Sequence, residues 1–195
     1  MRRTTKSATA FAVAAAVVVA AVALIVNPVG ANPAHRKKPP QVHLRLTPSS
    51  ATLASCMPKA KVKIDLHLTT DKVGFDRLKI TATHLRRYTA FTVFLLEQAG
   101  PPFGAAEYIG DVITNKHGNA ETTLRLIVEE AFSSTLVNGQ RVRVDLNRVG
   151  MWFADPPDDD FCIHDSPETV TPFDGDNEAG VQAFNSANAA PLPAP

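Results

Sequence analysis

Between residues 41 and 153, apolar and polar side chains alternate with a period of two in block after block. Val42, Leu44 and Leu46 interleave with His43, Arg45 and Thr47. After Pro58, Val62, Ile64, Leu66 and Leu68 interleave with Lys61, Lys63, Asp65, His67 and Thr69. A helix would scatter those four aliphatic groups around its circumference, whereas a strand gathers them on one face. Past turn-forming residues 71–74, Leu78, Ile80 and Ala82 repeat the pattern against Lys79, Thr81 and Thr83, which predicts a neighbouring antiparallel strand. Residues 89–96 carry Phe91, Val93 and Leu95 on one side and Phe94 and Leu96 on the other, the aromatic and β-branched enrichment of a central strand. Residues 107–114 and 120–128 supply two further strands. Asn115-Lys116-His117-Gly118-Asn119 between them tolerates positive φ and predicts a hairpin turn. Residues 129–136 allow a short helical turn before Asn138-Gly139 signals another reversal. Residues 141–146 then alternate Val142, Val144 and Leu146 with Arg141, Arg143 and Asp145, and Met151, Trp152 and Phe153 add a last apolar patch.

This makes about seven or eight strands in roughly 115 residues, with no long amphipathic helix to supply parallel crossovers. The expected fold class is all-β, an antiparallel β-sandwich, with a small β-barrel as the alternative. The layout is similar to that of immunoglobulin-like bacterial surface modules. It departs from true antibody domains in that Cys56 and Cys162 bracket the domain, and the tryptophan and cysteine spacing of those domains is absent. The resemblance is architectural and implies no activity.

The ends differ from this middle. Arg2, Arg3 and Lys6, the apolar run 8–26 and the small-residue exit Val29-Gly30-Ala31 read as a secretory signal over residues 1–31, with a retained anchor as the competing reading. Residues 32–40, with Pro33, Pro39, Pro40 and the cluster Arg36, Lys37, Lys38, read as a flexible basic arm. The ordered domain is expected over 41–165. Residues 166–195, rich in Pro, Asp, Asn, Ala and Gly, are expected to be an acidic, largely disordered tail, with Phe173, Val181 and Phe184 available to pack onto the domain. Export has a redox consequence. The two cysteines, Cys56 and Cys162, are expected to form one disulfide in an oxidising compartment.

The near-neutral total of +1 conceals an uneven distribution. From residue 32 to 148, Lys and Arg exceed Asp and Glu by 17 to 10, and after Arg148 there are nine acids and no Lys or Arg. Lys61 and Lys63 on one strand and Arg141 and Arg143 on another define a candidate face for an anionic glycan or cell-wall polymer. Nucleic acid is not expected as a partner outside the cell, nor a membrane beyond passage through the signal. The competing reading is that these cations protect exposed strands from edge pairing.

Other chemistry is weakly encoded. Asp174, Asp176 and Glu178 alternate as at the start of a calcium loop, but Ala179 and Asn185 stand where an EF-hand needs Gly and Glu. His43 and His67 lie on polar faces of strands and are weak candidates for zinc or copper. Cleavage after Ala34 would leave an amino-terminal His35, which resembles the copper site of small periplasmic β-sandwich copper proteins. No G-x-S-x-G turn, Cys-His arrangement or Gly-rich phosphate cradle occurs, and Asp158, Asp159 and Asp160 are adjacent rather than spaced as glycosidase carboxylates are. The expectation is a secreted, non-enzymatic binding or structural module without a cofactor. A metal-binding protein or a hydrolase without a recognisable motif is the alternative.

Overall fold

A computed structural model describes residues 41–68, 74–164 and 179–193. The alternating blocks become strands. These are β1 (Gln41–Pro48), β2 (Lys61–His67), β3 (Asp76–Thr83), β4 (Ala90–Leu96), β5 (Ala106–Ile113), β6 (Ala120–Leu126), β7 (Phe132–Val137), β8 (Gln140–Asp145), β9 (Arg148–Phe153) and β10 (Gln182–Asn185). Eight of them form one antiparallel sheet in the order β5-β4-β9-β10-β1-β2-β3-β6, and β7 and β8 form a separate two-stranded sheet. The large sheet curls until its edge strands β5 and β6 stand side by side, which nearly closes it as a barrel. Gly110 on β5 marks the approach. Its φ is +144°, and a Cβ there would lie 2.6 Å from Leu124 Cδ2 on β6.

The interior is filled from both halves of the sheet. Leu44, Leu46, Val62, Ile64, Leu66, Leu78 and Ile80 face Phe91, Val93, Leu95, Val112, Met151 and Phe153, all buried in a single cluster. Phe91 and Phe153 meet with ring centroids 5.0 Å apart. The other face of β4 and β9 is covered too. Phe94, Leu96 and Trp152 form a second buried cluster on that face, with Phe103 packed against it. Covering on both faces is what the unbroken apolar character of residues 93–96 predicts.

Among the described residues, ten strands replace the seven or eight expected, and three differences have physical causes. First, the fold does not end at residue 165. β10 lies between β1 and β9 in the middle of the sheet, with Ala183 and Phe184 fully buried. Its polar residues are buried because each has a partner: Gln182 Nε2 donates to Ala99 O (2.9 Å), Asn185 Nδ2 donates to Gln182 Oε1 (3.0 Å), and Ser186 Oγ accepts from Val149 N (2.9 Å). The segment 179–193 is therefore part of the domain, not of a disordered tail. The rest of that expected tail lies outside the described residues, as do the leader and the basic arm.

Second, β5 and β6 are not a hydrogen-bonded hairpin. The turn itself forms, since Asn115 Oδ1 accepts from the backbone of His117 (2.8 Å) and of Asn119 (3.2 Å) and Gly118 adopts φ +69°. Yet β5 already pairs with β4, and β6 with β3, so the chain crosses between the sheet's two edges.

Third, the helical turn expected over residues 129–136 is confined to a 3-10 turn at Val128–Glu130, and β7 takes the remainder. The Asn138-Gly139 reversal does form a hairpin, with φ of 52° and 80° at the two turn residues as a type I′ turn requires.

A short helix, α1 (Ala51–Cys56), is unforeseen in the sequence pattern. Its N-cap Ser50 accepts from Leu53 N at 3.2 Å. Cys56 at its end forms the expected disulfide with Cys162, with Cα atoms 5.8 Å apart across a separation of 106 residues. The bridge ties α1 to the turn that follows β9, while the chain's end is held separately by β10.

Candidate functional site

The pairing registers align the polar positions of β1, β2, β3 and β6 into rows on the outer face of the sheet. One row runs Arg45, Lys63, Thr81, Glu121; the next His43, Asp65, Lys79, Thr123; the third Gln41, His67, Arg77, Arg125. Lys61 stands opposite Thr83 at the margin. Neighbouring strands lie about 4.8 Å apart and alternate residues about 6.8 Å apart along a strand, so the face is a lattice of closely spaced charges. Six cations (Arg45, Lys61, Lys63, Arg77, Lys79, Arg125) share it with two acids, Asp65 and Glu121.

Both acids are engaged. His43 Nδ1 meets Asp65 Oδ1 at 2.5 Å, and Lys79 Nζ meets Glu121 Oε1 at 2.8 Å. Among the described residues, no carboxylate pairs with Arg45, Lys61, Lys63 or Arg77. Two like-charged couples face each other directly, Arg45 with Lys63 and Arg77 with Arg125. Such couples weaken a ladder, by up to about 1 kcal/mol each at low ionic strength. A depression of about 310 Å³ opens between His43, Arg45, Lys63 and Asp65, over the first couple. An anion seated there would meet two cations at once, with the neighbouring carboxylate already held by His43.

The sequence-derived candidates are divided by this geometry. Lys61 and Lys63 lie on the face, but Arg141 and Arg143 do not join them, because β8 belongs to the separate hairpin sheet. There they serve local contacts. Arg141 Nη1 donates to Ser134 Oγ (2.9 Å), and Arg143 Nε meets Asp145 Oδ1 (2.9 Å) with its guanidinium 4.0 Å above the Phe132 ring. Of the metal candidates, His43 is bound to Asp65, and His67 Nδ1 lies 3.0 Å from Gln41 Nε2. Among the described residues, no three His, Cys, Asp or Glu side chains converge as a metal site would require. Asp174, Asp176 and Glu178 lie outside the described residues.

Asp158 and Asp159 sit in a 3-10 turn at Pro156–Asp159. Burial pushes both carboxyls above the ordinary range, and the charge of Asp160 adds to the effect at Asp159. The backbone amide of Val181 donates to Asp159, and Arg86 Nη1 donates to the carbonyl of Asp158 at 2.6 Å while lying 4.8 Å from the Phe161 ring centroid. These contacts hold the turn against the sheet domain.

Arg45 and Arg77 are absent from the sequence-derived set. Each sits on the polar side of an alternating block, which was the available signal, but their partners across the ladder follow only from register. No protein family, curated protein or solved structure matches this chain.

Proposed function

We propose that this is a secreted, non-enzymatic binding module that holds an anionic glycan or cell-wall polymer on the outer face of β1, β2, β3 and β6. The observation that carries this reading is the like-charged couple of Arg45 with Lys63 on the exposed surface, with a depression opening over it. Two like charges directly opposite weaken the ladder, and a polyanion offsets that repulsion. The disulfide fits an oxidising location. For the fold, we favour the sandwich over the closed barrel. Support comes from the narrow hydrogen-bonded join between the two four-stranded halves, where β1 pairs with β10 through Thr47 and Pro48 and with β2 through residues 41–46.

The test is binding to heparin and to polygalacturonate, as sulfated and carboxylated probes, across a salt series. Affinity should fall steeply with salt and drop by about tenfold or more in a Lys61→Glu, Lys63→Glu double variant. Reversal of Arg141 and Arg143 should leave it nearly unchanged. Binding that persists at high salt, or that follows the hairpin arginines instead, rejects the assignment.

A further inference from the structure

The β7–β8 ribbon forms no sheet with the other strands. At its base Leu146 N donates to Ala131 O (2.9 Å), and beyond that point exposed side chains lie on both of its faces. An isolated two-stranded ribbon is only marginally stable in water, and each of its outer edges is a template for a further strand. The two edges differ in chemistry. β8 carries Arg141 and Arg143, and a two-fold pairing of β8 centred on Val142 or Arg143 would set arginine against arginine. β7, Phe-Ser-Ser-Thr-Leu-Val, has no charged residue and no proline. Its Phe132 and Leu136 are 52% and 65% exposed. Among the described residues, no backbone group pairs with its outer edge.

Register determines what fits that edge. The Asn138-Gly139 turn makes Val137 and Gln140 the first hydrogen-bonded pair, so Thr135 with Val142 and Ser133 with Val144 follow inside the ribbon. Phe132, Ser134 and Leu136 therefore direct their N–H and C=O groups outward. Two copies of β7 laid antiparallel about a two-fold axis at Ser134 satisfy those groups along the whole strand. Ser134 exchanges bonds with Ser134 of the second copy, and Phe132 with Leu136 of the second copy. The same register sets each phenyl ring directly beside a leucine side chain, once on either side of the axis, so one operation covers both exposed apolar groups. An axis moved by one residue, to Ser133 or Thr135, places Leu136 against Glu130 or Ser134 instead. We propose that this chain forms a two-fold symmetric dimer through β7, with a four-stranded sheet β8-β7-β7-β8 shared between two copies. This interface is separate from the basic face of β1, β2, β3 and β6.

Sedimentation equilibrium of the folded, oxidised protein over a wide concentration range provides the test. The mass should rise from one chain to two with concentration. Ser134→Pro removes the outward N–H at the centre of the interface and spares the bonds inside the ribbon, so it should keep the wild-type circular dichroism and stay monomeric. Ser134→Glu stands opposite Arg143 in its own ribbon but places two like charges on the axis. It should raise the dissociation constant about fivefold or more at low salt. Both native cysteines are held in the disulfide, so Ser134→Cys adds a lone thiol. On the axis it should cross-link two chains under mild oxidation, whereas Arg143→Cys, on the far strand, should not. A chain that stays monomeric at every concentration would overturn the proposal and leave β7 to a foreign strand. A dimer undiminished in folded Ser134→Pro and Ser134→Glu variants, or cross-linked as readily through Arg143→Cys as through Ser134→Cys, would overturn it in favour of a different self-association surface.

Discussion

Arg45 stands directly across the β1–β2 ladder from Lys63, with both side chains exposed on the outer face of the sheet. Lys63→Glu would turn this repulsive couple into an attractive one. We expect it to stabilise the protein by about 0.5 kcal/mol at low salt, with the gain vanishing as salt is added. The same change should weaken polyanion binding. Denaturant melts at two ionic strengths, beside a heparin titration, check both halves, and a variant that lost stability would show that the couple is not repulsive.

The disulfide closes a loop of 106 residues. Its removal by Cys56→Ser with Cys162→Ser releases conformational entropy to the unfolded chain, and the chain-entropy model puts the loss at about 4 to 5 kcal/mol. The melting temperature should fall to that of wild-type protein treated with a reductant. A reductant-insensitive melt would mean that the bridge restrains little.

Phe184 is fully buried at the centre of β10. Phe184→Ala should cost about 3 to 5 kcal/mol, as for other buried aromatic truncations, and a chain ending before residue 179 should fail to fold. Denaturation midpoints measured by circular dichroism decide this. Native stability in the truncated chain would show that β10 merely decorates the sheet.

Burial holds the carboxyls of Asp158 and Asp159 above their ordinary range. The folded state then binds these protons more tightly than the unfolded chain does. The associated stability is present below the unfolded carboxylate range and is lost as pH rises through the raised folded values. Asp159→Asn, which keeps an oxygen for the Val181 amide, should therefore flatten the decline of stability above the ordinary carboxylate range and raise the melting temperature at neutral pH. Melts from mildly acidic to neutral pH provide the comparison. A variant less stable than wild type at neutral pH would count against the assigned shift.

The strands β1 to β4 are legible from alternation because each buries one side and solvates the other, or, for residues 93–96, buries both. β10 is not. Gln182, Asn185 and Ser186 look like tail residues, and their burial becomes affordable only when Ala99, Val149 and one another meet their hydrogen bonds. Likewise, a polar residue's place on the outside of a strand follows from period two, but its cross-strand neighbour depends on register. That is why Lys61 and Lys63 were recognisable as candidates while Arg45 and Arg77 were not, and why Arg141 and Arg143 were grouped with residues of a different sheet.

From its residue order alone this chain determined an all-β domain, the faces of most strands, the Asn138-Gly139 reversal and the pairing of its two cysteines, because each rests on local periodicity, turn chemistry or simple counting. The tertiary structure alone decided which strands are neighbours, that residues 182–185 enter the middle of the sheet, and that cations from four strands share one face. These features come from contacts between residues distant along the chain, and register and curl, which local patterns do not contain, bring them together.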